Sequence, residues 1–132
     1  HHISDVPIAV NQIEFHPWLQ RPDIVDYCRE TDTVVEAAAP LARTEIFEDE
    51  VVQDLAEKYD VSPAQVVIRW GLDRDIVVLP KSSSPEHVRA NAELDFSMDE
   101  ADLAALDDRD RDRPVYDHPA RDWTSDVYGI RQ

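Results

Sequence analysis

Apolar residues fall into two kinds of run along this chain. Three runs are short and nearly continuous: residues 7–15 (Pro-Ile-Ala-Val-Asn-Gln-Ile-Glu-Phe), residues 33–39 (Thr-Val-Val-Glu-Ala-Ala-Ala) and residues 75–79 (Asp-Ile-Val-Val-Leu). Runs of that kind predict strands buried on both faces of a parallel sheet. Between them the apolar residues are spaced. Residues 22–30 carry Ile24, Val25, Tyr27 and Cys28 among charges, and residues 45–59 place Phe47, Val51, Val52, Leu55 and Tyr59 at helical intervals. Each stretch predicts one amphipathic helix. Ser62-Pro-Ala-Gln65 is a helix start, with Ser as cap, Pro in the first position and Gln reaching back; Val66, Val67, Trp70 and Leu72 follow it. Ser84-Pro85-Glu86 opens another helix in the same way, and Ser97-Met-Asp-Glu100 reads as a capping box ahead of Leu103 and Leu106.

The predicted order is strand, helix, strand, two helices, strand, helix, helix, tail. Such alternation means βαβ units and an α/β fold. Three parallel strands alone make a thin sheet with exposed edges. A closed (β/α)8 TIM barrel takes about 250 residues, so this chain would supply about three of its eight units. We expect a partial barrel over residues 1–106. Residues 107–132 are rich in Asp, Arg and Pro, carry Tyr116, Trp123 and Tyr128, and show no periodicity. They read as an irregular tail that packs on something larger.

Composition narrows the partners. The chain has 132 residues, is 42% hydrophobic and carries a net charge of −16. That is enough apolar content for a core, and the charge would repel nucleic acid. No apolar run approaches the roughly 20 residues of a membrane span, and no secretion signal is visible. The start at His1, without Met, suggests missing upstream sequence or a processed chain. One cysteine, Cys28, cannot form an internal disulfide, which suits a reducing cytoplasm. Asp outnumbers Glu by 19 to 10, and the only lysines are Lys58 and Lys81. Such an acid surplus repels itself at low salt. Multimolar salt, with a Debye length of about 3 Å or less, removes that repulsion. We read this as adaptation to a salty cytoplasm.

One anion site is visible from chemistry alone. A strand ends at Leu79-Pro80, Lys81 and Ser82 follow, and a helix starts at Ser84. Free N–H groups and the helix dipole favour a phosphate there. Glycine occurs only at Gly71 and Gly129, so there is no Walker or Rossmann phosphate loop. Asp108-Arg-Asp-Arg-Asp112 begins like a calcium loop but has Arg113 and Pro119 where that loop needs Gly and Glu. The five histidines lack metal-ligand spacing, and no nucleophile–histidine set can be argued.

Four motifs in order carry a resemblance: Val10-Asn-Gln-Ile-Glu-Phe-His-Pro17; Ala39-Pro-Leu41; Ser62-Pro-Ala-Gln-Val66 with Arg69-Trp70; and Leu79-Pro-Lys-Ser82 followed by Pro85 and Asn91. Over roughly residues 6–106 the chain resembles the C-terminal half of the aldo-keto reductases, as a prokaryotic, salt-adapted member. The resemblance implies strands six, seven and eight of the TIM barrel. It implies NADPH-dependent reduction of an aldehyde or ketone, with hydride passing from nicotinamide to the carbonyl carbon. The family's catalytic tyrosine, aspartate, lysine and histidine would precede this region, in an N-terminal barrel half missing here, so no catalytic residue is assigned.

By the same resemblance Gln12 holds the nicotinamide carboxamide, a task that suits an amide's paired donor and acceptor. Ala38 stands where the family often has an aromatic ring stacked on nicotinamide, and Ala39 where Ser is common. Leu41 matches a position near the pyrophosphate. Lys81, Ser82 and Ser84 grip the adenosine 2′-phosphate, and Asn91 meets the adenine amine. His87 replaces a family Arg and Ala90 a family Glu. A neutral His gives one hydrogen bond where Arg gives a charged fork, so NADPH is expected to be less strongly preferred over NADH. Arg89 lies on a different helix face. Trp18 lies where family loops contact substrate, with lid packing as an equal reading, and Trp123 is expected to line the substrate pocket. Two other readings stand beside the reductase: a nucleotide-binding or structural fragment with no activity alone, and an acidic interaction protein without ligand.

Overall fold

A computed structural model describes residues 6–116. Three parallel strands, β1 (Val10–Glu14), β2 (Val34–Ala38) and β3 (Val77–Val78), form one sheet in the order β1-β2-β3. Gln12 pairs with Glu36 and Glu14 with Ala38, and Glu36 in turn pairs with Val77. The crossovers are helical, as parallel pairing demands. Helix α1 (Pro22–Glu30) joins β1 to β2. A 3-10 segment (Ala42–Glu48), α2 (Glu50–Tyr59) and α3 (Pro63–Leu72) join β2 to β3, and α4 (Pro85–Ala92) and α5 (Glu100–Asp107) follow.

Local chemistry explains most boundaries. The Ser62–Gln65 box forms in full: Gln65 N–H donates to Ser62 Oγ at 3.2 Å and Ser62 N–H to Gln65 Oε1 at 2.8 Å. Helix α3 then buries Val66, Val67, Ile68, Trp70 and Gly71. Trp70 stacks on Phe15, with ring centroids 5.1 Å apart. Gly71 lies so near β3 that an added Cβ would sit 2.8 Å from Val78 Cγ2. Cys28 is a buried free thiol in the core with Val25 of the same helix.

Four expectations are corrected. The stretch 45–59 is two elements, because Asp49 is extended (φ −71°, ψ 125°) and caps α2 by accepting from Val51 N–H. Helix α5 starts two residues later than the Ser97 box predicts: Asp99 accepts from Asp102 N–H, and Met98 turns into the core. Strand β3 keeps only two residues, since Asp75 is left-handed (φ 59°) and Ile76 N–H still bonds the α3 carbonyl of Gly71. The strands are not buried on both faces. Val35 and Ala37 enter the core, whereas Val10, Val34, Val77 and Leu79 stay 40–47% exposed. Parallel registers put Val10, Gln12, Glu14, Val34, Glu36, Ala38 and Val77 on that second face; residues 115–116 cover Glu14 at one end, and no described helix or strand covers the rest.

Candidate functional site

Parallel strands send their C-terminal ends to one edge of the sheet, where α/β proteins place their ligands. Gln12 is exposed on the open face, and its Nε2 donates to Glu36 Oε2 at 3.4 Å across β1 and β2. That bond leaves the Gln12 carbonyl oxygen free to accept. Ala38 ends β2 on the same face, one rung past Gln12. Leu41 is half-buried and precedes the 3-10 segment, in a loop where Ala39, Ala42, Arg43 and Thr44 all adopt positive φ. The segment after β3 holds Lys81, Ser82, Ser84, His87 and Asn91. Lys81 and His87 are exposed, and the other three are half-buried. Leu41 and Lys81 each lie three residues past the ends of β2 and β3, whereas Gln12, expected at the end of the first strand, is the middle residue of β1. Trp123 lies outside the described residues.

The two lysines differ. Lys58 binds Asp102 (2.6 Å) and Asp99 (3.1 Å), and these hydrogen bonds hold its ammonium above the ordinary lysine range. Lys81 has no carboxylate partner among the described residues. Ser84 occupies the α4 cap position without a side-chain cap bond; instead its N–H donates to Ser82 Oγ at 3.2 Å. Pro85 has no N–H to satisfy, and no side chain caps the first-turn amides of α4, a turn that follows the exposed Lys81 by four to six residues. Those donors suit a phosphate.

A third region emerges that the residue pattern did not disclose. Beyond α5 the chain returns across the ends of β1 and β2. Asp49 is fully buried and takes Trp18 Nε1 (2.8 Å), Arg109 Nη2 (2.9 Å) and Arg111 Nη2 (3.1 Å). Arg113 pairs with Glu45 at 2.8 Å. The Arg111 and Arg113 guanidinium groups lie 5.3 and 4.7 Å from the Trp18 ring centroid, and the Arg111 and Arg113 amides donate to Trp18 O. Trp18 is 4% exposed. Among the described residues its ring is packed under the two guanidinium groups. The readable signal was the run of three arginines at 109, 111 and 113, although the backbone is not extended there: Arg109 sits in the turn that ends α5 and Asp112 has φ 48°.

Two shifted acid–base groups belong to this region. Burial alone would raise Asp49, but the hydrogen bonds from Trp18 and Arg109 and the Arg109 charge outweigh it and hold the carboxyl below its ordinary value. Burial lowers His16, against the opposing bond to Glu14 (2.9 Å), so its imidazole is neutral near pH 7 and its Nδ1 has no partner. Among the described residues no cluster of His, Cys, Asp or Glu is arranged to hold a metal, and no helix is long and apolar enough to cross a membrane.

The aldo/keto reductase family model matches residues 2–111. The chain belongs to the aldo/keto reductase family. It is 34% identical over 117 residues to glyoxal reductase of Bacillus subtilis, covering 88% of this chain and 42% of that protein. It is 38% identical over 109 residues to methylglyoxal reductase DkgA of Yersinia pestis, covering 79% and 39%. An aldo-keto reductase from a Medee basin deep-sea metagenome library superposes with TM-score 0.82 at 33% identity, over 86% of this chain and 44% of that one. A point mutant of Gox0644 in complex with NADPH superposes with TM-score 0.76 at 36% identity, over 78% and 38%. This aldo/keto reductase chain thus spans about two fifths of the length of the relatives it matches.

Proposed function

We propose that this chain is the cofactor-binding part of an NAD(P)H-dependent reductase of aldehydes or ketones. It would contribute strands six to eight of the barrel, residues 1–106, followed by a tail from 107. The observation that carries this reading is Lys81 beyond the end of β3, exposed, without a carboxylate partner among the described residues, and followed by the uncapped first turn of α4. Relatives named as glyoxal and methylglyoxal reductases, and a neighbour solved with NADPH, support it.

In this reading the strand-end residues would hold NADPH, which when bound would supply hydride for the carbonyl carbon. Gln12 accepts from the nicotinamide carboxamide through its free carbonyl oxygen, with the amide held by Glu36. Leu41 lines the pyrophosphate end. Lys81, Ser82, Ser84 and the α4 amides take the 2′-phosphate, His87 adds one hydrogen bond, and Asn91 meets adenine. Ala38 offers no ring to stack on nicotinamide, which removes about 1 kcal/mol. The proton donor comes from the barrel half that covers the open sheet face. The buried thiol of Cys28 and the acid surplus fit a cytoplasm, and a salty one.

NADPH and NADH titrations of the chain in molar KCl, read by tryptophan fluorescence with circular dichroism as the folding control, test the cofactor assignment. Saturable binding of both by a folded chain, with NADPH ahead by less than about tenfold, is expected. A folded chain that binds neither overturns it.

A further inference from the structure

Glu14 is the last residue of β1 and shares the open face with Gln12, two positions before it. A carboxylate there would ordinarily meet water. Its side chain is only 7% exposed, and what covers it is the chain's own segment beyond α5. Val115 N–H donates to Oε1 at 2.5 Å and Tyr116 N–H to Oε2 at 3.3 Å, while His16 Nε2 sits 2.9 Å from Oε1. The neutral His16 donates through Nε2, so one carboxylate receives three N–H groups. Arg43, from the loop after β2, lies 5.4 Å over the Tyr116 ring and brings a second strand end to the same spot.

The upstream half of this strap has its own anchor. Asp49 and Trp18 O hold residues 109–113 without Glu14. Residues 115–116 also have the Val115 side chain packed on the core and Arg43 over the Tyr116 ring, so losing Glu14 removes their backbone anchor and loosens them while residues 109–113 stay seated. An ionised carboxylate makes stronger bonds to N–H than a neutral acceptor, and backbone amides left without it turn to water and move.

Resting on the reading of this edge as the cofactor mouth, we propose that Glu14 is a positioning residue: it pins residues 115–116 across the ends of β1 and β2, beside Gln12, and so sets the substrate-side wall of the pocket. Gln12 addresses the cofactor; Glu14, one step further out on the same strand, fixes the chain that faces the carbonyl compound.

Amide hydrogen exchange tests the anchor on the 132-residue chain, and steady-state kinetics test the wall on the intact reductase that carries it. In Glu14→Ala the Val115 and Tyr116 amides are expected to exchange at least about tenfold faster, with α3 amides unchanged within about twofold. The carbonyl KM is expected to rise about tenfold, with kcat and the NADPH Kd within about twofold. Glu14→Gln, which keeps one acceptor oxygen, is expected to fall between and covers the case in which the alanine variant does not fold. Unchanged exchange at 115–116 overturns the anchor. Faster exchange with an unchanged KM overturns the wall. A parallel loss of α3 protection, kcat and NADPH affinity would show a role in the fold alone. A wild-type chain that binds no NADPH defeats the cofactor reading, and the wall with it, while the exchange result still decides whether Glu14 holds the segment.

Discussion

Two charged regions sit at the same edge of the sheet and are built in opposite ways. In the strap, Arg109 and Arg111 share the buried Asp49, Arg113 has Glu45, and the Trp18 ring is covered. In the segment after β3, Lys81 has no partner among the described residues, α4 buries no side chain, and Val88 is 55% exposed. The chain has a surplus of 16 negative charges, yet none of the described carboxylates pairs with Lys81. Charge that is matched inside the molecule holds the fold. Charge that is left unmatched beside free helix amides is available to a ligand.

The largest effect is expected from Asp49→Ala. It strands two guanidinium groups and a buried indole N–H and removes the α2 cap, which costs about 3–5 kcal/mol. Urea unfolding measures it, and a loss below about 1 kcal/mol would erase the contrast between the regions. Gly71→Ala comes next, at about 1–3 kcal/mol, because the stiff Val78 side chain must give way. Lys81→Ala should change stability by less than about 0.5 kcal/mol yet weaken NADPH about tenfold, one lost charge-assisted contact. His87→Arg should move the NADPH-to-NADH affinity ratio upward by a few-fold, roughly 1 kcal/mol or less for an exposed site.

Acidification probes the strap from another side. The unfolded chain takes up a proton at His16 as pH falls through 6.5, while burial keeps the folded imidazole neutral to lower pH. The unfolded state then binds more protons, so stability present above 6.5 is lost on the way down. Unfolding curves at about pH 8 and about pH 5.5 check this, and His16→Gln is expected to flatten that part of the decline.

The sequence reading was strongest where one residue type decides a local geometry. Ser62 with Gln65, Pro22 and Pro85 set helix starts, and the β-branched runs set three strands in the expected order. It was weakest where tertiary contacts overrode the local pattern. Asp49 breaks a stretch that looks like one helix, because its carboxylate has partners as distant as Trp18 and Arg109. Ser97 loses the cap to Asp99, because Met98 is drawn into the core. The proposed anion site at Lys81, Ser82 and Ser84 was legible because strand end, lysine and helix start are contiguous in sequence. The roles of Glu14 and Asp49 were not, since the donors that enclose them lie as far off as Trp18 (31 residues) and Arg109 (60) for Asp49 and Tyr116 (102) for Glu14.

The most direct test sets Lys81→Ala beside Asp49→Asn in one pair of experiments, NADPH titration and urea unfolding, under the same salt. The account predicts that Lys81→Ala unfolds with the wild type and binds NADPH about tenfold more weakly, whereas Asp49→Asn unfolds at distinctly lower urea. Full NADPH affinity in a folded Lys81→Ala chain would contradict it.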